Sequence, residues 1–574
     1  MKSEAAPTSQ RQLAAGTLAA HLLDNAVKRP TSEALVFPDA RLNWRTLHAG
    51  AMRFAAVLLS LGLRKGDHVG ILMPNGAQWV QAFYGCAMIG AVTVPINTRF
   101  RTDELAYCLK QSDITILLTV DRFLKIDYRD LLTEVEPAMA DKLPGSALPV
   151  LRHVLMFGDA DDLPAGITSL TAELSAVTTD EMAIRATGAQ VTPSDLLLIQ
   201  YTSGTTSFPK GVMLTHANML RDATAVANRM DVRTDDRYFS IRPFYHVAGT
   251  TLSLLVSLVS GCCLLSLPTF DVGQTLRMLD DERCTLTSGN DTIFLMLMSD
   301  PAFDRKRIHL RGGWAAAGPE VMQRIHDEMG AHGICNAYGQ SEASPNVVFS
   351  AWDDPLELRV QGWMLPHEGV QIRTVGADTG ALNPPGEPGE IQVRGWNVMR
   401  GYYRMPEATA AALIEDGWLR TGDLGVINKE GRLKMVGRLK DVFRVGGENV
   451  APAEVEETLL AHPAVQLAQV VGVPDPRLGE VAAAFVVLRA KRVEGDSGSA
   501  RKGASDVATD VAQLTEWCRA RCANFKVPRY LAIVDGFEEI GMTGSSKVQK
   551  NKLRAHAIER FGIAQVAGTP ATGG

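Results

Sequence analysis

The sequence has 574 residues, too many for one hydrophobic core, so a few domains or lobes are expected. Its composition, 46% hydrophobic and 21% charged with a formal net charge of −6, is that of an ordinary water-soluble globular chain. Mild acidity and the absence of a long basic run argue against a nucleic-acid binder, which needs a phosphate-neutralising surface. The eight cysteines are scattered and form no CxxC pair; buried, reduced thiols of a cytoplasmic protein are expected rather than metal or redox centres.

The start of the chain shows no secretory signal, and Leu18, Leu22 and Leu23 mark an amphipathic helix whose polar side carries His21, Asp24 and Lys28. Residues 33–120 alternate apolar runs (34–37, 68–73, 92–95, 114–120) with helical patterns (44–61, 79–89), which predicts α/β layers with much parallel pairing. From 121 to about 193 the pattern weakens. Residues 196–199 read as a buried strand, and Thr215 as the cap of a helix over 216–229. The most membrane-like stretch, 247–267, contains several serines and Gly261, so a buried helix followed by a strand is expected, with no membrane span.

Between 238 and 348 the α/β pattern resumes, with candidate strands at 238–241, 264–267 and 333–337. Turn signals between short strands predict a small antiparallel lobe over 365–436. A second unit follows. Pro452 opens a helix bearing Glu454, Glu456 and Glu457, then come strands at 467–473 and 481–488, a helix over 514–525 and a strand at 530–534. Cys518 and Cys522 are spaced to share one face of that second helix. Residues 491–510, rich in Gly, Ser, Ala and charge, read as a flexible surface loop.

Five segments carry chemistry. Residues 201–211, YTSGTTSFPKG, offer the hydroxyls of Thr202, Ser203, Thr205 and Thr206, the flexible Gly204 and the ammonium of Lys210. Turn amides, hydroxyl donors and a cation together suit bound phosphate oxygens. This is not a Walker A loop, because the lysine precedes the glycine and an apolar segment intervenes before the helix; a plain polar loop is the competing reading. Residues 336–344, NAYGQSEAS, offer the flat face of Tyr338, the hydroxyl of Ser341 and, in Glu342, a hard carboxylate suited to magnesium. The same stretch approximates the GxSxG nucleophile elbow, with Ala343 in place of the last glycine, so a serine hydrolase with Ser341 as nucleophile is an alternative.

In residues 418–425, WLRTGDLG, Asp423 suits paired ribose hydroxyls or forms a simple turn. Residues 437–457 hold Arg438, Lys440 and the pair Gly446–Gly447. Residues 544–553, GSSKVQKNKL, display Lys547, Lys550 and Lys552, and a basic surface strand of this kind is usually a solvated face.

Taken in this order, the five segments resemble the adenylate-forming superfamily of acyl-CoA synthetases, nonribosomal adenylation domains and luciferases, over about residues 17–554. YTSGTTSFPKG is similar to the family's phosphate-binding signature and YGQSE to its YGxTE motif, with Ser341 replacing threonine. The resemblance implies an N-terminal domain, 1–437, of layered, mostly parallel α/β sheets with a β-barrel-like lobe, and a mobile α+β domain, 438–574, hinged near Lys440. It implies that a carboxylate attacks the α-phosphate of ATP, giving an acyl adenylate, and that a thiol, commonly of coenzyme A, then displaces AMP.

By the same resemblance Thr202–Thr206 and Lys210 hold phosphates, and Glu342 holds Mg2+. Ala317, Gly318, Pro319, Tyr338 and Gly339 line the nucleotide, Ser341 meets the α-phosphate, and Asp423 binds ribose with Arg438 nearby. Lys547 is the implied catalytic lysine, although Ser546 replaces the usual preceding glycine and Lys550 is a rival. Gly446 and Gly447 imply passage of the pantetheine arm. The acyl segment would include Tyr245, His246, Val247 and Asn290. Amino-acid-activating relatives carry an Asp after a Phe here; Tyr245 follows Phe244, so a hydrophobic acid is expected, with His246 gating the site or touching the carboxylate. Asn290 either contacts a polar group on the acid or bonds to backbone. The implied partners are a small-molecule carboxylic acid, ATP and coenzyme A, with a homodimer left open. An acyl-AMP ligase loading a carrier protein and a luciferase-like oxygenase are rival classes; the short stretch beyond Lys547 favours a free thiol acceptor.

Overall fold

The computed structural model describes residues 11–202, 209–376, 379–489, 509–537, 539–542 and 548–563. Ser203, Gly204, Thr205, Thr206, Lys547 and most of the loop expected at 491–510 therefore lie outside the described residues.

Two large sheets form the N-terminal part. In the first, six parallel strands run in the spatial order Gly333–Gly339, Gly312–Ala316, Leu286–Asn290, Arg237–Ser240, Cys263–Leu265 and Glu33–Phe37. Antiparallel strands close both edges. In the second, Leu196–Tyr201, Val92–Pro95, His68–Leu72, Ile114–Val120, His153–Phe157 and Thr168–Ser169 are parallel, and Gly211–Thr215 returns antiparallel beside Leu196–Tyr201. Strands His68–Leu72 and Val92–Pro95 are buried along their whole length, as expected of parallel strands covered by helices on both faces. Helices Trp44–Ser60, Ala77–Met88 and His216–Arg229 share one apolar core with both sheets. Thr215 opens the last of these as expected: its hydroxyl accepts the Asn218 N–H at 3.1 Å, and the Asn218 side chain accepts the Thr215 N–H at 3.0 Å.

The weak pattern at 121–193 conceals two strands of the second sheet, His153–Phe157 and Thr168–Ser169. His153–Phe157 lies parallel to Ile114–Val120. Two further strands, Leu286–Asn290 and Gly312–Ala316, also escape the sequence pattern, because LTSGN and GGWAA lack alternation and β-branched bulk. Their small residues answer to close packing: a Cβ on Gly312 would lie 2.7 Å from the Gly333 carbonyl oxygen. The membrane-like stretch folds as anticipated into buried helical turns over 247–260 followed by strand Cys263–Leu265. Among the described residues no helix is long and apolar enough to cross a membrane.

The expected antiparallel lobe is present: Val370–Val375, Pro388–Gly395, Trp418–Ile427, Leu413–Ile414 and Leu433–Arg438 form one sheet. Residues 443–557 build a separate core around strands Val465–Asp475 and Gly479–Leu488. Two expectations are corrected here. The helix begun at Val511 ends at Arg519 rather than near 525, so Cys522 lies beyond it, donating its thiol to the Cys518 carbonyl at 3.0 Å. Lys550 and Lys552 stand not on a surface strand but in the first turn of helix Lys550–Arg560. All eight cysteines are free and seven are buried.

His216 illustrates how burial couples this fold to pH. The ring is fully buried, and its Nδ1 accepts the Leu18 N–H at 3.2 Å, which requires an unprotonated Nδ1. Burial pushes its pKa down to about 4, and that of the equally buried His367 to about 3. A folded-state value below the unfolded one means that stability is complete at neutral pH, falls as pH drops through 6.5, and levels off below the folded value. From pH 7 to pH 5 His216 alone should cost about 2 kcal/mol. In His216→Asn, whose side-chain oxygen still accepts the Leu18 N–H, the thermal midpoint should depend less on pH over this range; an unchanged slope would contradict the assignment.

Candidate active site

Ligand crevices of open parallel sheets lie beyond the carboxyl ends of the strands, and the singled-out residues gather there. Asn290, the Ala317–Gly318–Pro319 turn and Gly339 with Ser341–Glu342 end or follow three neighbouring parallel strands of the first sheet. The 202–210 connection leaves the end of Leu196–Tyr201 in the second sheet, and its base is closed by the Thr202 N–H donating to the Lys210 carbonyl at 3.0 Å.

Tyr338 and Asp423, far apart in sequence, meet directly. The Tyr338 hydroxyl donates to Asp423 Oδ2 at 2.9 Å, and Arg438 Nε lies 3.3 Å from Oδ1. Arg438 faces Asp423 because the two are register partners on adjacent strands of the lobe. Asp423 is only 3% exposed. Burial, with the Asp423 charge second, pushes the Tyr338 hydroxyl well above its usual range and keeps it a donor. A carboxylate oxygen can accept more than one hydrogen bond, the chemistry that suits Asp423 to a sugar hydroxyl.

A second cluster forms at the base of the Ser/Thr-rich loop. Glu342 Oε1 accepts the Tyr402 hydroxyl at 2.8 Å, and Lys210 Nζ sits 5.0 Å from the centre of the same ring. Backbone pairing fixes this register: Tyr403 N–H donates to the Gly211 carbonyl, Met213 N–H to Gly401, and Met399 N–H to Glu342. Gly339 is required where strand Gly333–Gly339 ends, since a Cβ there would sit 1.9 Å from the Pro345 carbonyl oxygen. Behind the 340–345 segment the buried Asp222 carboxyl accepts the Asn346 N–H at 2.9 Å, and burial drives its pKa well above the carboxylate range. Tyr402 and Asp222 were not singled out from the sequence; Tyr402 has only its place in a Gly-Tyr-Tyr run to mark it.

Magnesium is commonly held by one or two carboxylates together with substrate phosphates. Glu342, steadied by Tyr402, whose ring also lies near Lys210, is a donor of that kind. Among the described residues no cluster of three or more acidic, His or Cys side chains forms an all-protein metal cage.

The acyl segment is anchored by Gln200, whose side-chain amide donates to the Tyr245 carbonyl at 2.6 Å. His246 caps the turn that follows: its Nδ1 accepts the Ala248 N–H at 3.1 Å, which leaves the proton of a neutral ring on Nε2. Val247 is buried. The Asn290 side-chain oxygen bonds to backbone, accepting the Ile293 N–H at 3.1 Å as cap of helix Asp291–Ser299. Among the described residues no histidine hydrogen-bonds Ser341, which gives a serine-hydrolase reading no base.

In the C-terminal unit, Gly446 and Gly447 form the exposed tip of the hairpin Phe443–Val445/Glu448–Val450, with φ of +60° and +97° that suit glycine. Lys440 stands in the short turn Leu439–Asp441 between the last strand of the lobe and that hairpin. Lys550, the rival for the catalytic cation, donates to Glu456 and to the Val470 carbonyl. It is a tie within its own unit.

Comparison with known proteins fits this geometry. Residues 22–403 match the AMP-binding enzyme family and residues 454–547 the AMP-binding enzyme C-terminal domain. The chain is 35% identical to the putative acyl-CoA synthetase YngI of Bacillus subtilis (strain 168), over 96% of this chain and 99% of that one. It is 33% identical to the mitochondrial medium-chain acyl-CoA ligase ACSF2 of Mus musculus, covering 94% and 87%. The fold superposes on ATP-bound MatB from Rhodopseudomonas palustris with a TM-score of 0.80 at 28% identity, covering 95% and 99%. The chain thus belongs to the AMP-binding enzyme family of acyl-adenylate-forming ligases.

Proposed function

We propose that the protein is an acyl-CoA synthetase that activates a hydrophobic carboxylic acid with ATP and transfers the acyl group to coenzyme A. The observation that carries this reading is the acyl segment beside the ATP crevice: Tyr245-His246-Val247 leads into a buried run over 250–258 and presents no acidic side chain to pair a substrate amine. The names of the relatives, a putative acyl-CoA synthetase and a medium-chain acyl-CoA ligase, point the same way. A cytoplasmic setting accompanies the proposal, in keeping with eight unbridged cysteines.

In the first half-reaction a carboxylate oxygen of the acid attacks the α-phosphorus, the bond to the bridging oxygen breaks, and pyrophosphate leaves. Tyr338 and the Ala317–Gly318–Pro319 turn lie against the base, Asp423 takes the ribose hydroxyls, and Ser341 meets the α-phosphate. Thr202, the loop hydroxyls and Lys210 hold the outer phosphates. Bound magnesium supplies charge neutralisation at those phosphates, held on the protein side by Glu342. His246 presents its Nε2–H to the acid carboxylate. Reactions of this type need positioning and charge stabilisation more than a nucleophilic side chain. Lys547 is assigned the charge growing at the α-phosphate. In the second half-reaction the thiol sulfur attacks the acyl carbon, its proton is released, and AMP departs with the oxygen that linked it.

The domain boundary is proposed at 437/438, at the end of the lobe strand Leu433–Arg438 and ahead of the separate core that begins at Phe443, with Lys440 as hinge. Rotation there would exchange Lys547 for the Gly446–Gly447 hairpin at the crevice.

The test is a panel of fatty, aromatic and alicyclic acids with ATP, magnesium and either coenzyme A or a carrier protein, following AMP and thioester. Acyl-CoA from a hydrophobic acid is expected; carrier loading without acyl-CoA would overturn the choice of acceptor. Lys547→Ala should abolish pyrophosphate release while largely sparing thioester formation from supplied acyl adenylate, and equal loss of both would refute its role. Lys440→Pro should slow the thiol step more than adenylate formation; an unaltered thiol step would refute the hinge.

A further inference from the structure

The Ala317–Gly318–Pro319 turn is held from two sides. Asn336, two residues before Tyr338 on strand Gly333–Gly339, donates its side-chain amide to the Ala317 carbonyl at 3.1 Å. From the opposite side Asp291, the first residue of helix Asp291–Ser299, accepts the Gly318 N–H on Oδ1 at 3.0 Å. Gly318 precedes the helix Pro319–Glu328 and has no side chain with which to cap it, so Asp291 supplies that cap from another strand end. The turn is thereby tied to the same wall that carries Tyr338.

We propose that Asp291 is a positioning residue for the nucleotide: its carboxylate fixes the Gly318 amide, and through it the height of the Ala317–Pro319 turn against the base. The assignment rests on the proposed placement of the nucleotide beside that turn.

The surroundings of Asp291 give the idea a second handle. Arg242, on the segment after strand Arg237–Ser240, faces it within electrostatic reach, as do Glu456 and Glu457 of helix Pro452–Leu460 in the C-terminal unit. Glu457 is itself opposed by Lys434 and Glu456 by Lys550. Glu320, on helix Pro319–Glu328, is exposed. Burial is the largest influence and lifts the Asp291 pKa to about 6, against the pull of the Gly318 amide; Glu456 and Glu457 add to the rise. Asp291 therefore gains its charge, and its stronger hold on the amide, as pH rises through about 6.

ATP binding in the presence of magnesium, measured by titration calorimetry without any acid, tests this in the full chain. At pH 7.5 Asp291→Ala should raise the Kd for ATP ~10-fold, the weight of one charge-assisted hydrogen bond, whereas Asp291→Asn, which keeps an oxygen acceptor, should raise it only ~3-fold. The ratio of the Asp291→Asn Kd to the wild-type Kd should fall toward one at pH 5.5; taking the ratio cancels titration of the ATP phosphates. An Asp291→Ala Kd within twofold of wild type at pH 7.5, or a ratio that ignores pH, would overturn the proposal. If Asp291→Ala does not fold, the pH dependence of the Asp291→Asn ratio decides alone. A wild-type chain that binds ATP but forms no acyl-CoA would remove the functional proposal while leaving Asp291 to be judged on Kd.

Discussion

Three pieces of chain meet at the Asp423 carboxylate: the wall strand of the first sheet through Tyr338, the lobe strand that carries Asp423, and the last lobe strand through Arg438. A carboxylate this deeply buried is tolerated only with charge-assisted partners, each contributing about 1.5–3 kcal/mol. The pairing does more than offset desolvation. It sets the lobe at a fixed height over the parallel sheet, and the crevice between them is where the nucleotide is proposed to sit. Arg438 is also the last residue before the connection to the C-terminal core, so the anchor that shapes the ATP site ends where hinge motion is proposed to begin.

The phosphate side is organised by a different force. Lys210 lies over Tyr402, whose hydroxyl is committed to Glu342, so a cation, a ring and a carboxylate are ordered in series. Cation–π attraction at a partly exposed site is worth about 0.5–2 kcal/mol, enough to bias a long lysine side chain but not to immobilise it. That suits a phosphate ligand better than a catalyst. The proposed role of Lys547, implied by the family resemblance, agrees with such a division of labour: fixed charges would hold the nucleotide, and a cation from the C-terminal unit would be brought to the reacting atoms.

Most of the fold was legible because its signals are local. The cap at Thr215, the buried parallel strands at 68–72 and 114–120, and the lobe of short strands between turns all follow from neighbouring residues. What escaped depends on partners distant in the chain. Strands Leu286–Asn290 and Gly312–Ala316 are small-residue segments whose extended shape is imposed by neighbours on both sides. The site divides the same way. Glu342, Asp423 and Lys210 stand in recognisable motifs, whereas Tyr402 and Asp291 contribute through contacts with residues 60 and 27 positions away. Asn290 is the residue the sequence offers for the acyl segment, yet its side-chain oxygen caps a helix and its neighbour Asp291 makes the contact to the Ala317–Pro319 turn.

The central claim is that a carboxylate of the substrate is joined to the α-phosphate of ATP before any thiol is acylated. Oxygen labelling reads this directly. With an acid carrying 18O in both carboxylate oxygens, one labelled oxygen stays behind when the thiol displaces the adenylate. Mass spectrometry of the products should therefore find AMP with a single 18O and unlabelled pyrophosphate. Unlabelled AMP, or formation of ADP with label in inorganic phosphate, would contradict the account.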